Sequence, residues 1–161
     1  MFREMVRKHK QIPQEECVNL LKTETRGVLS VLGDNDYPYG TPMNHFYNDE
    51  DGNIYFHCGN IGHRLESLQK HNKVSFCCYD QGYKNEGEWF YNVKSVIVFG
   101  KIEIIDDMDK IVDISTRLCE KFPCGEGYAE KEIAASAHRT LILKLVPEHI
   151  CGKMVIAFAA E

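Results

Sequence analysis

Apolar residues in this chain fall into short alternating or continuous runs separated by clusters of Gly, Asp and Asn, a rhythm that predicts strands joined by tight turns. The first element differs. Pro13 followed by Gln14, Glu15 and Glu16 opens a helix, and Cys17, Leu20 and Leu21 share one face of it as far as Thr23. Gly27 to Leu32 is an apolar run stopped by Gly33-Asp34-Asn35-Asp36, which is hairpin-turn chemistry. The return strand is expected over Pro38 to Tyr47. Pro38 and Pro42 each withhold a ladder donor, so this strand must be bulged or lie at an edge. Asp49-Glu50-Asp51-Gly52 forms a second turn, and Asn53 to Cys58 a third strand.

Gly59-Asn60-Ile61-Gly62 breaks that strand and leads into a helix on which Ile61, Leu65 and Leu68 share a face, ending in His71-Asn72. Lys73 to Tyr79 is the fourth strand. A long polar and aromatic segment, Asp80 to Asn92, carries the one Trp, Trp89, beside Phe90 and Tyr91; loops of this length tend to be functional or to cover a neighbour. Val93 to Ile105 is the longest strand, with Gly100 in its middle pointing to a bulge or a sharp coil. Asp106-Asp107 caps a helix whose apolar positions are Met108, Ile111, Val112, Leu118, Cys119 and Phe122. A short helix over Ile133 to Ala137 precedes a strand from Thr140 to Val146 closed by Pro147, and Ile150 to Ile156 is the last. Six or seven strands linked mainly by hairpins, with helices at three or four points, describe an α+β, barrel-like fold, because closure removes sheet edges.

Composition narrows the function. With 161 residues the chain suits one domain. Its 19 basic and 24 acidic residues give a net charge of −5, and no basic run exceeds Arg7 to Lys10, so nucleic acid is not an expected partner. No stretch approaches the roughly 20 apolar residues that span a bilayer, and the first residues lack the apolar core of a signal peptide, so a cytoplasmic protein is expected. Seven cysteines at irregular spacing read as reduced, mostly buried thiols; Cys119 and Cys124 form a C-x4-C pair with no second pair nearby.

The candidate chemistry is concentrated between Tyr37 and Leu68. Thr41 to Asn44 and His57-Cys58 would supply small polar groups along a flat slot, and the helix start carrying His63 and Arg64 suits a phosphate at its end. A planar ring with a phosphate tail matches that slot. His57 has two readings on its strand: a core histidine satisfied by a carbonyl, or a proton donor facing substrate. His57, His63 and His71 lack the i, i+4 spacing of zinc-binding helices, which argues against a metal.

Taken in order, GVLSVLG…YPYGTPMN, NIYFHC, GHRLESL, KVSFC and SVIVFGKIE resemble the FMN-binding split β-barrel family related to pyridoxamine 5′-phosphate oxidase, and look closest to its 5-nitroimidazole resistance branch. The resemblance runs from about Arg3 to Lys153. It implies one α+β domain over 1–161, a predominantly antiparallel split β-barrel with peripheral helices, paired as a homodimer with flavin in grooves between subunits. By that likeness Thr41, Pro42, Met43 and Asn44 border the ring, His57 and Cys58 line the neighbouring strand, and Gly62, His63, Arg64 and Leu65 hold the phosphate. Residues from Trp89 to Ser95 of the other subunit would close the groove. The implied cofactor is FMN, with FAD as the variant, and the implied activity is reduction of a small electrophile such as a nitroaromatic or quinone by electrons from a nicotinamide, with His57 catalytic. A flavin-binding sensor or carrier without turnover and a haem-binding split barrel are the alternatives. One departure stands out: true pyridoxamine phosphate oxidases end in a Trp-, Arg- and His-rich phosphate clamp, and EHICGKMVIAFAAE lacks it, so that substrate is not expected.

Overall fold

The computed structural model describes residues 1–123 and 125–156, so Cys124 of the C-x4-C pair lies outside the described residues. Helix α1 (Gln14–Thr23) is followed by β1 (Arg26–Leu32) and β2 (Pro38–Asn44), joined by a turn in which Asn35 and Asp36 take φ of 56° and 62°. Short polar side chains tolerate that left-handed geometry better than most. Next come β3 (Phe46–Tyr47), β4 (Ile54–Gly59), α2 (His63–Lys70), β5 (Lys73–Tyr79) and β6 (Asn92–Ile105). Helices α3 (Met108–Glu120) and α4 (Tyr128–Ser136) precede the final strand β7 (Thr140–Ile156). The Asp107 carboxylate caps α3 by accepting from the Lys110 amide.

The seven strands form one antiparallel sheet in the order β2-β1-β5-β6-β7-β4-β3. It curls into a half-barrel. Its two outermost strands, β2 and β3, are consecutive in the chain and separated only by His45, so the chain leaves one edge of the sheet and joins the other within one residue. The inner face carries Phe56, Phe76, Val96, Val98, Leu143 and Leu145, and α1 presents Cys17, Leu20 and Leu21 to the same core. The Phe56 and Phe76 rings meet edge to face at 5.0 Å. A second cluster lies on the outer face, where Ile111 and Ile114 of α3 pack on Tyr55 and Ile142.

Several expectations are revised. The strand expected over Pro38 to Tyr47 is split at His45, whose ring turns into the core and is fully buried. Pro147 does not close a strand. It pairs with Gly100 where the β6–β7 register shifts, and β7 continues through it to Ile156, because a bulge tolerates the missing N–H. A Cβ on Gly100 would stand 2.2 Å from the Val146 carbonyl oxygen, so this crossing requires glycine. Ile61 precedes α2 and is exposed, and Met108 and Val112 face outward while Ile114 fills the buried stripe of α3. Helix α4 starts at Tyr128, five residues earlier than expected. Among the described residues no helix is long and apolar enough to cross a membrane.

His45 ties the barrel corner to α1. Its Nε2–H donates to the Leu21 carbonyl at 2.8 Å, and its buried Nδ1 has no partner. A second ring proton would therefore have no acceptor. Burial foremost, then the nearby Lys121 charge, pushes its pKa down to about 3, against a smaller upward pull from the Leu21 bond. Because the folded value lies below the unfolded one, the stabilisation is complete above the unfolded pKa of about 6.5 and drains as pH falls toward 3. Urea unfolding should show stability falling by up to about 1.4 kcal/mol per pH unit in that window. His45→Gln should flatten that slope, and an unchanged slope would assign acid sensitivity to other groups.

Candidate functional site

Strands β2 and β4 face each other across the gap in the half-barrel, and Arg64 from the first turn of α2 reaches into it. Its Nη1 donates to Thr41 Oγ1 on β2 at 3.1 Å. The same guanidinium hydrogen-bonds Cys58 on β4, whose thiol is raised by burial and drawn partly back by Arg64. Arg64 Nε is buried without a partner. Burying a charged group's donor unpaired is costly, so this nitrogen marks a place where a ligand's acceptor would be favourable.

The helix start beside it is open. Gly62 occupies the cap position at φ 127°, a conformation that favours glycine, and supplies no side-chain cap. The Glu66 amide bonds back to the Gly62 carbonyl, leaving the first-turn amides without intrahelical partners. His63 is less available. Its ring stacks on Tyr39 at 4.3 Å and its Nε2 lies 3.4 Å from Asp34 Oδ2, which commits it to the β1–β2 turn and leaves Arg64 as the cation at the helix start.

His57 is exposed on the outer side of β4, while Phe56 and Cys58 on either side of it point into the core. The core-histidine reading therefore fails. Loss of water around the ring, and then the Arg64 charge, hold its pKa below the usual imidazole range. With Asn44, on the facing strand, it lines a cavity of about 340 Å³ bounded by α3, α4 and the start of β7. Asn44 Oδ1 accepts from Arg26 Nε at 3.0 Å.

The structure thus gathers Thr41, Asn44, His57, Cys58, Gly62 and Arg64 around one seam. Met43 and Leu65 are buried and offer only backbone there, and Pro42 is exposed on β2. Trp89 and Ser95 lie elsewhere in the subunit: Ser95 is on β6, three positions from β2 in the sheet order, and Trp89 is exposed in the preceding loop. The cavity wall from α3 and α4, including Ser115, Tyr128 and Glu132, was not singled out from the sequence, and no local pattern there points to a site.

The family model described as pyridoxamine 5′-phosphate oxidase matches residues 13–154. The chain belongs to that family. Among solved structures it is similar to a protein from Bacteroides thetaiotaomicron named for 5-nitroimidazole antibiotic resistance, at 20% identity and TM-score 0.75 over 89% of this chain and 86% of that one. It is also similar to a FAD-binding protein from Mesorhizobium loti, at 19% identity and TM-score 0.66 over 91% and 97% of the two chains. A flavocytochrome from Azotobacter vinelandii matches at 16% identity and TM-score 0.69, over 94% of this chain and 72% of that one. At these identities the likeness is one of fold. No curated protein matches the sequence.

The family placement leaves the His57 environment to be tested directly. In an NMR titration His57 should titrate below about 6.5, and Arg64→Gln should raise it only part of the way, since loss of water is the larger cause. A full return to the ordinary value would make the Arg64 charge the dominant cause.

Proposed function

We propose that this protein is a flavin-binding oxidoreductase that takes FMN at the seam between β2 and β4 and reduces a small electrophile, such as a nitroaromatic or quinone, with electrons from a nicotinamide. The observation that carries the reading is Arg64: a guanidinium at an uncapped helix start, anchored to Thr41, with Nε buried and unpartnered. Family membership supports it, as do fold relatives named for FAD binding and as a flavocytochrome.

When bound, the flavin supplies the electron chemistry. The chain's own residues do the rest. Arg64 and the first-turn amides of α2 bind the phosphate, since both carry positive charge where an anion gains most. Thr41 fixes the Arg64 fork. The backbone and side chains of Pro42 to Asn44 border the ring plane, with Cys58 across the seam. His57 presents its ring at the edge of the cavity, and its lowered pKa means that a proton it takes up is passed on more readily than from an ordinary imidazole.

A homodimer completes this reading. Pro42, Val28, Cys77, Ile97 and Cys151 form one row across β2, β1, β5, β6 and β7, and Leu32, Tyr79 and Phe99 are exposed further along the same strands, with Phe2 stacked on Phe99 at 5.7 Å. An apolar ledge of that breadth suits a self-complementary interface. Ser95 lies on the same side of β6 as Ile97 and Phe99, so the partner's β6 region, with Trp89, would close the groove.

Arg64→Ala should weaken FMN by about 10- to 100-fold while riboflavin, which lacks the phosphate, is hardly affected. Equal losses for both would mean Arg64 acts through folding, and no loss would put the phosphate elsewhere. His57→Ala should keep FMN bound and slow electrophile reduction by about 10- to 1000-fold. Binding without any nicotinamide oxidation would favour the carrier reading.

The dimer is tested separately. Sedimentation should give twice the mass of the chain, and Phe99→Lys should shift it toward monomer with loss of flavin. A monomer that binds FMN as tightly as wild type would overturn the shared groove.

A further inference from the structure

The cavity bounded by α3, α4 and the outer side of β4 has a recognition chemistry of its own. Its wall is apolar and aromatic, with Phe122, Tyr128 and Ile133. Two of its hydroxyls are already used within the fold: Ser136 Oγ donates to the Glu132 carbonyl at 2.7 Å, and Thr140 Oγ1 to the Ser136 carbonyl at 2.9 Å. The Glu132 carboxylate is different. It lines the cavity at its exposed side, and none of the ion pairs among the described residues includes it.

No Lys or Arg lines this cavity. Among the described residues Glu132 is the one acidic residue of the lining, which it shares with the aromatic side chains Phe122 and Tyr128, and both kinds of group attract a cation: the carboxylate by its charge, the ring faces by their quadrupoles. An anionic ligand on the α4 side would meet the Glu132 charge, since the guanidinium groups nearest the cavity stand behind its far wall, Arg26 on Asn44 Oδ1 and Arg64 beside His57. A volume of about 340 Å³ sits at the lower end of small-molecule pockets and suits one or two rings.

We propose that this cavity binds a small aromatic cation, an amidinium or a protonated heteroaromatic ring, with its charge toward Glu132 and its ring against Phe122 and Tyr128. His57 and Asn44 close the far wall, so the bound ring lies next to the seam. This assignment stands without the flavin reading, because none of Phe122, Tyr128, Glu132 and Ile133 takes part in the phosphate or ring contacts proposed there.

The test uses the full chain without added flavin and three probes of matched shape: benzamidine, benzyl alcohol and benzoate, followed by calorimetry and ligand-observed NMR. Benzamidine should bind best and benzoate should not bind. Glu132→Gln should weaken benzamidine by about 5- to 20-fold, as expected for one charge-assisted contact at a partly exposed site. Glu130→Gln, on the same helix but outside the cavity, should leave binding unchanged. Ile133→Trp should abolish it by filling the space. Glu132→Lys should shift the preference to benzoate. Benzoate binding as well as benzamidine to the wild-type chain would overturn the proposal. So would equal effects of Glu130→Gln and Glu132→Gln, which would reduce the attraction to general surface charge.

Discussion

A curled sheet with two free edges must either bond them together or hold them apart, and in this protein one buried histidine decides which. At His45 the chain crosses from β2 to β3, from one edge of the sheet to the other, with its ring fixed to the end of α1 through the Leu21 carbonyl. The edges are joined covalently at that corner and diverge from it. Asn44 and His57 face each other nearest the corner, and Thr41 and Cys58 lie further along, bridged by Arg64. The candidate contacts for the phosphate and the ring sit along this divergence. A closed barrel of the same strands would leave no gap for those side chains to line.

The polar character of the seam follows from the same geometry. A side chain that bridges the gap must be long and carry several donors. Arginine meets that need through the Thr41 hydroxyl and the Cys58 thiol, at the cost of one nitrogen left unpaired. Conformational freedom around α2 is limited accordingly, since Leu65 and Leu68 anchor the helix while His63 is held by Tyr39 and Asp34. The binding groups therefore rest on a fixed frame, which reduces the ordering cost of taking up a ligand.

Much of this was readable in the chain. The strand expected over Lys73 to Tyr79 is β5 to the residue, and Pro38, Pro42 and Gly100 mark the edge strand and the bulge. The break at His45 was not readable, because Phe46 and Tyr47 continue an ordinary strand composition and only the sheet order shows that they belong to the opposite edge. The continuity of β7 through Pro147 was hidden for a related reason: a proline stops a strand unless its partner strand offers an irregularity, and that partner, Gly100, is 47 positions away in sequence. For the site, the seam residues lie in three neighbouring motifs, the strand with Thr41 and Asn44, the strand with His57 and Cys58, and the helix start with Gly62 and Arg64. The cavity wall comes from α3, α4 and β7, whose residues meet β4 only after folding.

The two prolines of β2 have a consequence for how the protein behaves in a crowded solution. An open sheet edge is a template on which another chain can add a strand, and repeated addition leads to fibrils. Pro38 and Pro42 share one parity on β2, and the pairing with β1 runs unbroken through both, as it does when the nitrogens that lack a proton are turned to the open side. An incoming strand would find two of its acceptors unanswered there. The protein can thus keep its seam accessible to small molecules while remaining a poor seed for aggregation, and the same ring atoms that interrupt the donor row protect the opening that function requires.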